Sequence, residues 1–161
     1  MSFGPGSPCP LCEAPLAAKL LREAAGDEAP MRVALRGLPV LACEAPHRYF
    51  VGHGFPIWLL NVLVEVEIAK IPAGRRKGLV FRDYDCGECG ARLPTSGAEP
   101  WTFSASLAWE ETPGFVADIT MPVFRCTSCG REQARSGEEL AKLLPAALVH
   151  AFMAAGIKAP G

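Results

Sequence analysis

The cysteines constrain this chain more than any other feature. Six of the seven fall in three C-x-x-C pairs: Cys9/Cys12, Cys86/Cys89 and Cys126/Cys129. The seventh, Cys43, stands alone. An odd number cannot close into a complete set of intrachain disulfides. A C-x-x-C turn aims two sulfurs at one point, so the pattern favours clustered thiols over scattered cross-links.

Two of the pairs share a longer signature. Cys86-Gly-Glu-Cys89-Gly90 and Cys126-Thr-Ser-Cys129-Gly130 each place a glycine after the second sulfur. Glycine there permits a left-handed turn. Between them, Trp101, Phe103, Ala105, Leu107 and Trp109 alternate with small residues, Thr112-Pro113-Gly114 marks a turn, and Phe115 to Phe124 alternates again. The order is cysteine pair, strand, turn, strand, cysteine pair. A hairpin of this kind brings two knuckles onto one ion, and zinc takes tetrahedral thiolate and imidazole ligands. The 36 residues between Cys89 and Cys126 exceed the usual spacing and imply a long hairpin or an inserted loop. We therefore expect a four-cysteine zinc site: Cys86, Cys89, Cys126 and Cys129.

The first half is a variant of this plan. Cys9-Pro-Leu-Cys12 supplies one knuckle, and the second should fall near Cys43. Residue 46 is Pro46, but His47 completes Cys43-x3-His47. A second zinc site of Cys9, Cys12, Cys43 and His47 follows, with His53 the rival fourth ligand. His150 has no cysteine neighbour in sequence and reads as a surface or satisfied histidine. Two zinc ions per chain would use all seven cysteines.

These motifs give the chain a resemblance to the bacterial zinc-ribbon proteins, with two ribbon-type sites in tandem over roughly 9–50 and 79–131. The N-terminal Cys9-Pro-Leu-Cys12, the strand through Leu38-Pro39-Val40 and Cys43 resemble the small zinc finger of some antitoxin-type regulators. The resemblance departs at Pro46, where a final cysteine is expected. It implies metal binding and leaves the biological role open.

The rest of the chain supplies a scaffold. Residues 1–8 form a Gly/Pro/Ser leader. Residues 14–25, rich in Ala, Leu, Lys and Glu, read as a short helix, with a strand as the alternative. Gly26 to Pro30 breaks the chain. Met31, Val33 and Leu35, then Leu38, Val40 and Ala42 around Gly37, predict a hairpin or a bent strand. Trp58, Leu59, Val62, Leu63 and Val66 step at helical spacing and predict a helix over about 56–70, with Pro56 in its first turn. Residues 72–78 form a basic loop and the boundary between modules. Residues 79–84 predict a short strand into Cys86. Ser136 and Glu139 form a capping box before a C-terminal helix, whose stripe runs Leu140, Leu143, Leu144, Ala147, Leu148, Ala151, Phe152 and Ala155. Pro145 should kink or restart that helix, and Gly156 should end it.

The expected fold class is α+β: two zinc-ribbon-type β-hairpin modules, an intervening helix and a C-terminal helix. The expected divisions are 1–72, 73–135 and 136–161. With net charge −1, a protein whose main task is coating nucleic acid is disfavoured. The start has no basic or apolar leader region, and neither apolar stretch, 55–71 or 143–157, suits a membrane span, so we expect a cytoplasmic protein. No H-E-x-x-H, G-x-S-x-G or phosphate-loop motif occurs, and the expectation is no enzyme. Zinc would then stabilise a surface that binds a protein partner or a second copy. The alternatives are nucleic-acid binding, through Arg75-Arg76-Lys77 and neighbouring cations, and thiol redox chemistry at a C-x-x-C pair.

Overall fold

The computed structural model describes residues 3–78 and 83–160. It is an α+β fold whose main element is a seven-stranded sheet. Strands β1 (Ala17–Glu28) and β2 (Met31–Ala42) form a long antiparallel hairpin. Strands β3 (Arg48–Phe50) and β7 (Phe115–Arg125) both pair with β2, β7 at its start and β3 at its end. Outside β7 lies β6 (Glu99–Leu107). Two short strands complete the sheet: β8 (Glu132–Gln133) on β7, and β9 (Ile157–Lys158) parallel to β3. A separate ribbon joins β4 (Arg75–Lys77) to β5 (Asp83–Asp85). The β2–β7 pairing carries one sheet across the 72/73 boundary expected from sequence.

Several local expectations need correction. Residues 17–28 are strand, not helix. Their Ala and Leu content suits a helix, but Ala24 and Gly26 face the core, and β2 supplies a full ladder of partners. Gly26 does not break the chain. It lies inside β1, and the turn comes at Ala29-Pro30. Of the two alternatives at Gly37, the bent strand is the one the structure adopts. At φ +70 Gly37 lets β2 bend, and the inward-facing residues shift phase, from Met31, Val33 and Leu35 to Leu38 and Val40. The basic loop is in part strand β4. Of the strand expected over 79–84, residues 79–82 lie outside the described residues, and Asp83-Tyr84 belongs to β5.

The phase shift has a structural use. Beyond Gly37 both faces of β2 are covered. Val40 and its partner Phe50 face the main core, while Leu41 and its partner Tyr49 face a separate cluster with Cys9, Leu16 and Cys43.

Helix α1 (Phe55–Val62) continues through a π-helical turn, Leu63–Glu67, and a 3-10 turn, Ile68–Lys70, covering the expected span. Phe55, Leu59 and Leu63 are buried at i, i+4, i+8; the next buried apolar residue is Ile68, five further on. The π turn inserts one residue into the helical register, which rotates Val66 out to 47% exposure. Helix α2 (Gly137–Ala154) is capped by the Ser136 side chain, which accepts from the Glu139 N–H. It runs through Pro145 as one element and ends at Gly156, φ +68. Its buried stripe, from Leu140 to Phe152, packs on β1 and β2. The helix backbone comes very close to β1 at Gly26, where a Cβ would lie 2.2 Å from the Ala151 nitrogen.

Candidate metal centres

The main core contains no cysteine. The thiols lie at the ends of the sheet, in two small clusters with their own apolar linings. Three of the four approaches to these clusters are knuckles with the same backbone. The N–H of the first cysteine bonds the carbonyl five residues on: Cys9 to Ala14, Cys86 to Ala91, Cys126 to Arg131. The carbonyl of that cysteine accepts from the residue after the second sulfur: Glu13, Gly90 or Gly130. Those three residues have φ of 65°, 78° and 79°. Glycine adopts this conformation freely, whereas Glu13 does so at the expense of steric strain.

The fourth approach is different. Strand β2 delivers Cys43, the chain turns through Glu44 to Pro46, and β3 starts just after His47. The Cys43 N–H bonds the His47 carbonyl at 3.2 Å, and the His47 N–H donates to the Cys43 sulfur at 3.2 Å. Sulfur and imidazole are thereby turned to the same side.

The ligand atoms converge in two groups, Cys9, Cys12, Cys43 and His47, and Cys86, Cys89, Cys126 and Cys129. Within each, all four lie within 4.8 Å of one another. In the first, His47 Nδ1 is 3.5 Å from Cys9 Sγ and 3.3 Å from Cys43 Sγ, and Cys12 Sγ is 3.7 Å from Cys43 Sγ. In the second, Cys86–Cys129 and Cys89–Cys126 are each 3.6 Å apart. Disulfide sulfurs would be about 2.05 Å apart. A tetrahedral ion with bonds of about 2.3 Å to sulfur and 2.0–2.1 Å to nitrogen sets edges of about 3.8 Å and 3.5 Å. The measured separations lie close to those edges, so each group can hold a metal ion. His53 is exposed in the loop before α1 and belongs to neither group. His150 sits on α2, its Nδ1 2.7 Å from the Asp27 carbonyl and 3.6 Å from Glu28.

Compared with known proteins, the chain matches no family model, and neither a curated protein nor a solved structure is significantly similar to it. Function must therefore be read from the geometry of the clusters.

The electrostatics prepare some thiols for a cation. Burial works against the Cys9 thiolate, but bonds from the Tyr49 hydroxyl and from the Leu11 and Cys12 backbone outweigh it and bring the thiol down to about 6. Backbone bonding at Cys89 and the Gln133 amide lower Cys86 to about 6 against the effect of burial. At Cys129 the Arg131 backbone favours the thiolate, but burial and the three neighbouring sulfurs push it up to about 11. A divalent ion supplies the positive charge that lets all the thiols of one group ionise together.

Two partners of the clusters were not legible in sequence. Tyr49 Oη lies 3.4 Å from Cys9 Sγ, and Gln133 Nε2 lies 3.1 Å from Cys86 Sγ. Gln133 also accepts the Gly87 N–H at 2.8 Å. A polar residue inside a strand carries no motif. The one usable signal is position: each precedes or follows a cluster residue by only a few places and lies on a strand beside it.

Proposed function

We propose that this chain is a non-catalytic zinc protein in which two structural zinc ions hold a surface for protein association or self-association. One observation carries the reading: two complete four-ligand sets stand at tetrahedral separations. Soft thiolates with imidazole favour zinc among common divalent ions. Four protein ligands leave no position for water or substrate, so such an ion serves folding. The C-x-x-C pairs lie in turns and not at helix N-termini, the setting that activates a redox thiolate. Elemental analysis of protein purified without added metal tests the reading. Zinc near two per chain supports it; iron in place of zinc, or an empty protein with all thiols reduced, counts against it.

The association surface is supported by apolar side chains that the fold leaves outside. Ile57 is 66%, Val149 51% and Met153 72% exposed. Light scattering on the zinc-loaded chain tests self-association through α2. A dimer that Val149→Glu with Met153→Lys converts to monomer supports it, whereas a wild-type monomer removes it. Nucleic-acid binding gains less support. Arg75 and Lys77 stand opposite Asp85 and Asp83 in the β4–β5 ribbon, which offsets their charge locally.

A further inference from the structure

The two clusters share a device that their ligands alone do not reveal. In each first knuckle the leading cysteine is buried, Cys9 and Cys86 both at 1% exposure, while its C-x-x-C mate, Cys12 or Cys89, is exposed. Each buried sulfur meets one buried side-chain donor. These are Tyr49, 2% exposed, and Gln133, 1% exposed. The donors arrive by the same route. Tyr49 stands opposite Leu41, two residues before ligand Cys43, and Gln133 stands opposite Phe124, two residues before ligand Cys126. In both cases one strand delivers a cysteine of the second approach, and its neighbour delivers a donor to the buried sulfur of the first knuckle.

We propose that Tyr49 and Gln133 are positioning residues that retain the metal by holding these two buried thiolates; this rests on the zinc reading above. A thiolate bound to zinc keeps much of its negative charge and needs donors when water is excluded. A tyrosine hydroxyl facing such a sulfur donates. The Gln133 amide could face it with either end, but its oxygen is taken by the Gly87 N–H, so the NH2 group is turned to Cys86. Each ion is thus gripped from its buried side. Exchange with solvent begins at the exposed sulfurs, Cys12 in one site and Cys89 and Cys129 in the other.

The test uses Tyr49→Phe and Gln133→Leu in the full chain. Zinc transfer to a chromogenic chelator is followed with time, and sites are assigned by cobalt substitution, because four thiolates give stronger sulfur-to-cobalt absorption than three. Each variant should release metal from its own site about 10–100-fold faster and leave the other site at the wild-type rate. Its cobalt charge-transfer band should shift, while the thermal midpoint of the zinc-loaded protein stays close to wild type. Gln133→Glu keeps the side-chain size and the acceptor for Gly87, sets a carboxylate against the thiolate, and should release faster than Gln133→Leu. Wild-type release rates and unshifted bands in both variants overturn the inference while leaving the zinc reading intact. Loss of both metals together with the melting transition overturns it too, by making these residues packing groups. A wild-type chain that binds no metal overturns the zinc reading itself.

Discussion

Replacing Gly26 with Ala should be among the most damaging single-methyl additions in the fold, and without touching either cysteine cluster. The added Cβ would stand 2.2 Å from the Ala151 nitrogen, 2.4 Å from the Ala147 oxygen and 2.7 Å from the His150 carbonyl carbon. All three are backbone atoms, so no rotamer change relieves the overlap. Ordinary van der Waals approach needs roughly 3.4 Å or more, so α2 must lift by about 1 Å over this part of β1. A gap of 0.5–1 Å already forfeits about a quarter to a half of each pairwise dispersion attraction. The side chains loosened by the lift are Ala147, Leu148 and Ala151, all buried. Overpacking of this kind costs about 1–3 kcal/mol, and a clash with backbone belongs at the upper end, about 3 kcal/mol. For a chain of this size that lowers the melting midpoint by roughly 6–12 °C. Thermal unfolding of the zinc-loaded variant, with Gly54→Ala as control, measures it. A Cβ at Gly54 meets nothing within 4 Å, so that change should cost no more than the loss of a glycine N-cap on α1, about 1 kcal/mol at most. Zinc content should be unchanged in both. A Gly26→Ala protein as stable as the control would refute the close helix–strand packing.

Further outcomes follow from particular side chains. Asp118 accepts from Arg36 at 2.6 Å and from Ser104 at 2.5 Å, tying β7 to β2 and β6. Arg36 first, and then Ser104, hold its carboxyl below the usual range against the effect of partial burial. Because the folded value is depressed, the contribution is complete above the unfolded pKa, about 3.9, and disappears as pH falls from there through the folded value. Asp118→Asn should cost about 1 kcal/mol at pH 7, with the difference from wild type shrinking below about pH 4 in urea melts; a constant difference over that range contradicts the assignment. Gly130 has φ +79 in the last knuckle, so Gly130→Ala should cost about 1–2 kcal/mol and weaken metal retention at the four-cysteine site, seen as faster transfer to a chelator. Stripping metal with chelator under reducing conditions should lower the thermal midpoint while leaving most of the helical signal at low temperature, because β2 and β7 run from the core that carries α2 into the two clusters; an unchanged midpoint would show that the metal does not support the α2 surface.

Both ligand groups were legible because sulfur pairs are rare and their spacing has a direct geometric meaning. Cys43-x3-His47 was readable for the same reason, although the strand turn that aligns it is unlike the other knuckles. The β6–β7 hairpin and α2 were legible from strict alternation and from a capped apolar stripe. Residues 17–28 were not, because Ala, Leu, Lys and Glu are neutral in pattern and the strand is imposed by pairing with β2. The sheet that joins both halves was hidden too. The β2–β7 pairing is long-range, and nothing local in Arg32–Arg36 names its partner. Tyr49 and Gln133 were invisible because their roles depend on register across two strands. Among the described residues no helix is long and apolar enough to cross a membrane.

Whether the chain holds two metal centres is tested most directly by native mass spectrometry, on reduced protein purified without added metal, beside His47→Ala and Cys126→Ser variants. Two zinc ions are expected in the wild-type chain. About one is expected in each variant, lost from the three-cysteine site in the first and from the four-cysteine site in the second. A wild-type chain with well under two ions while all seven thiols remain reduced would contradict the two-site assignment, and a His47→Ala chain that still holds two would contradict the site that includes His47.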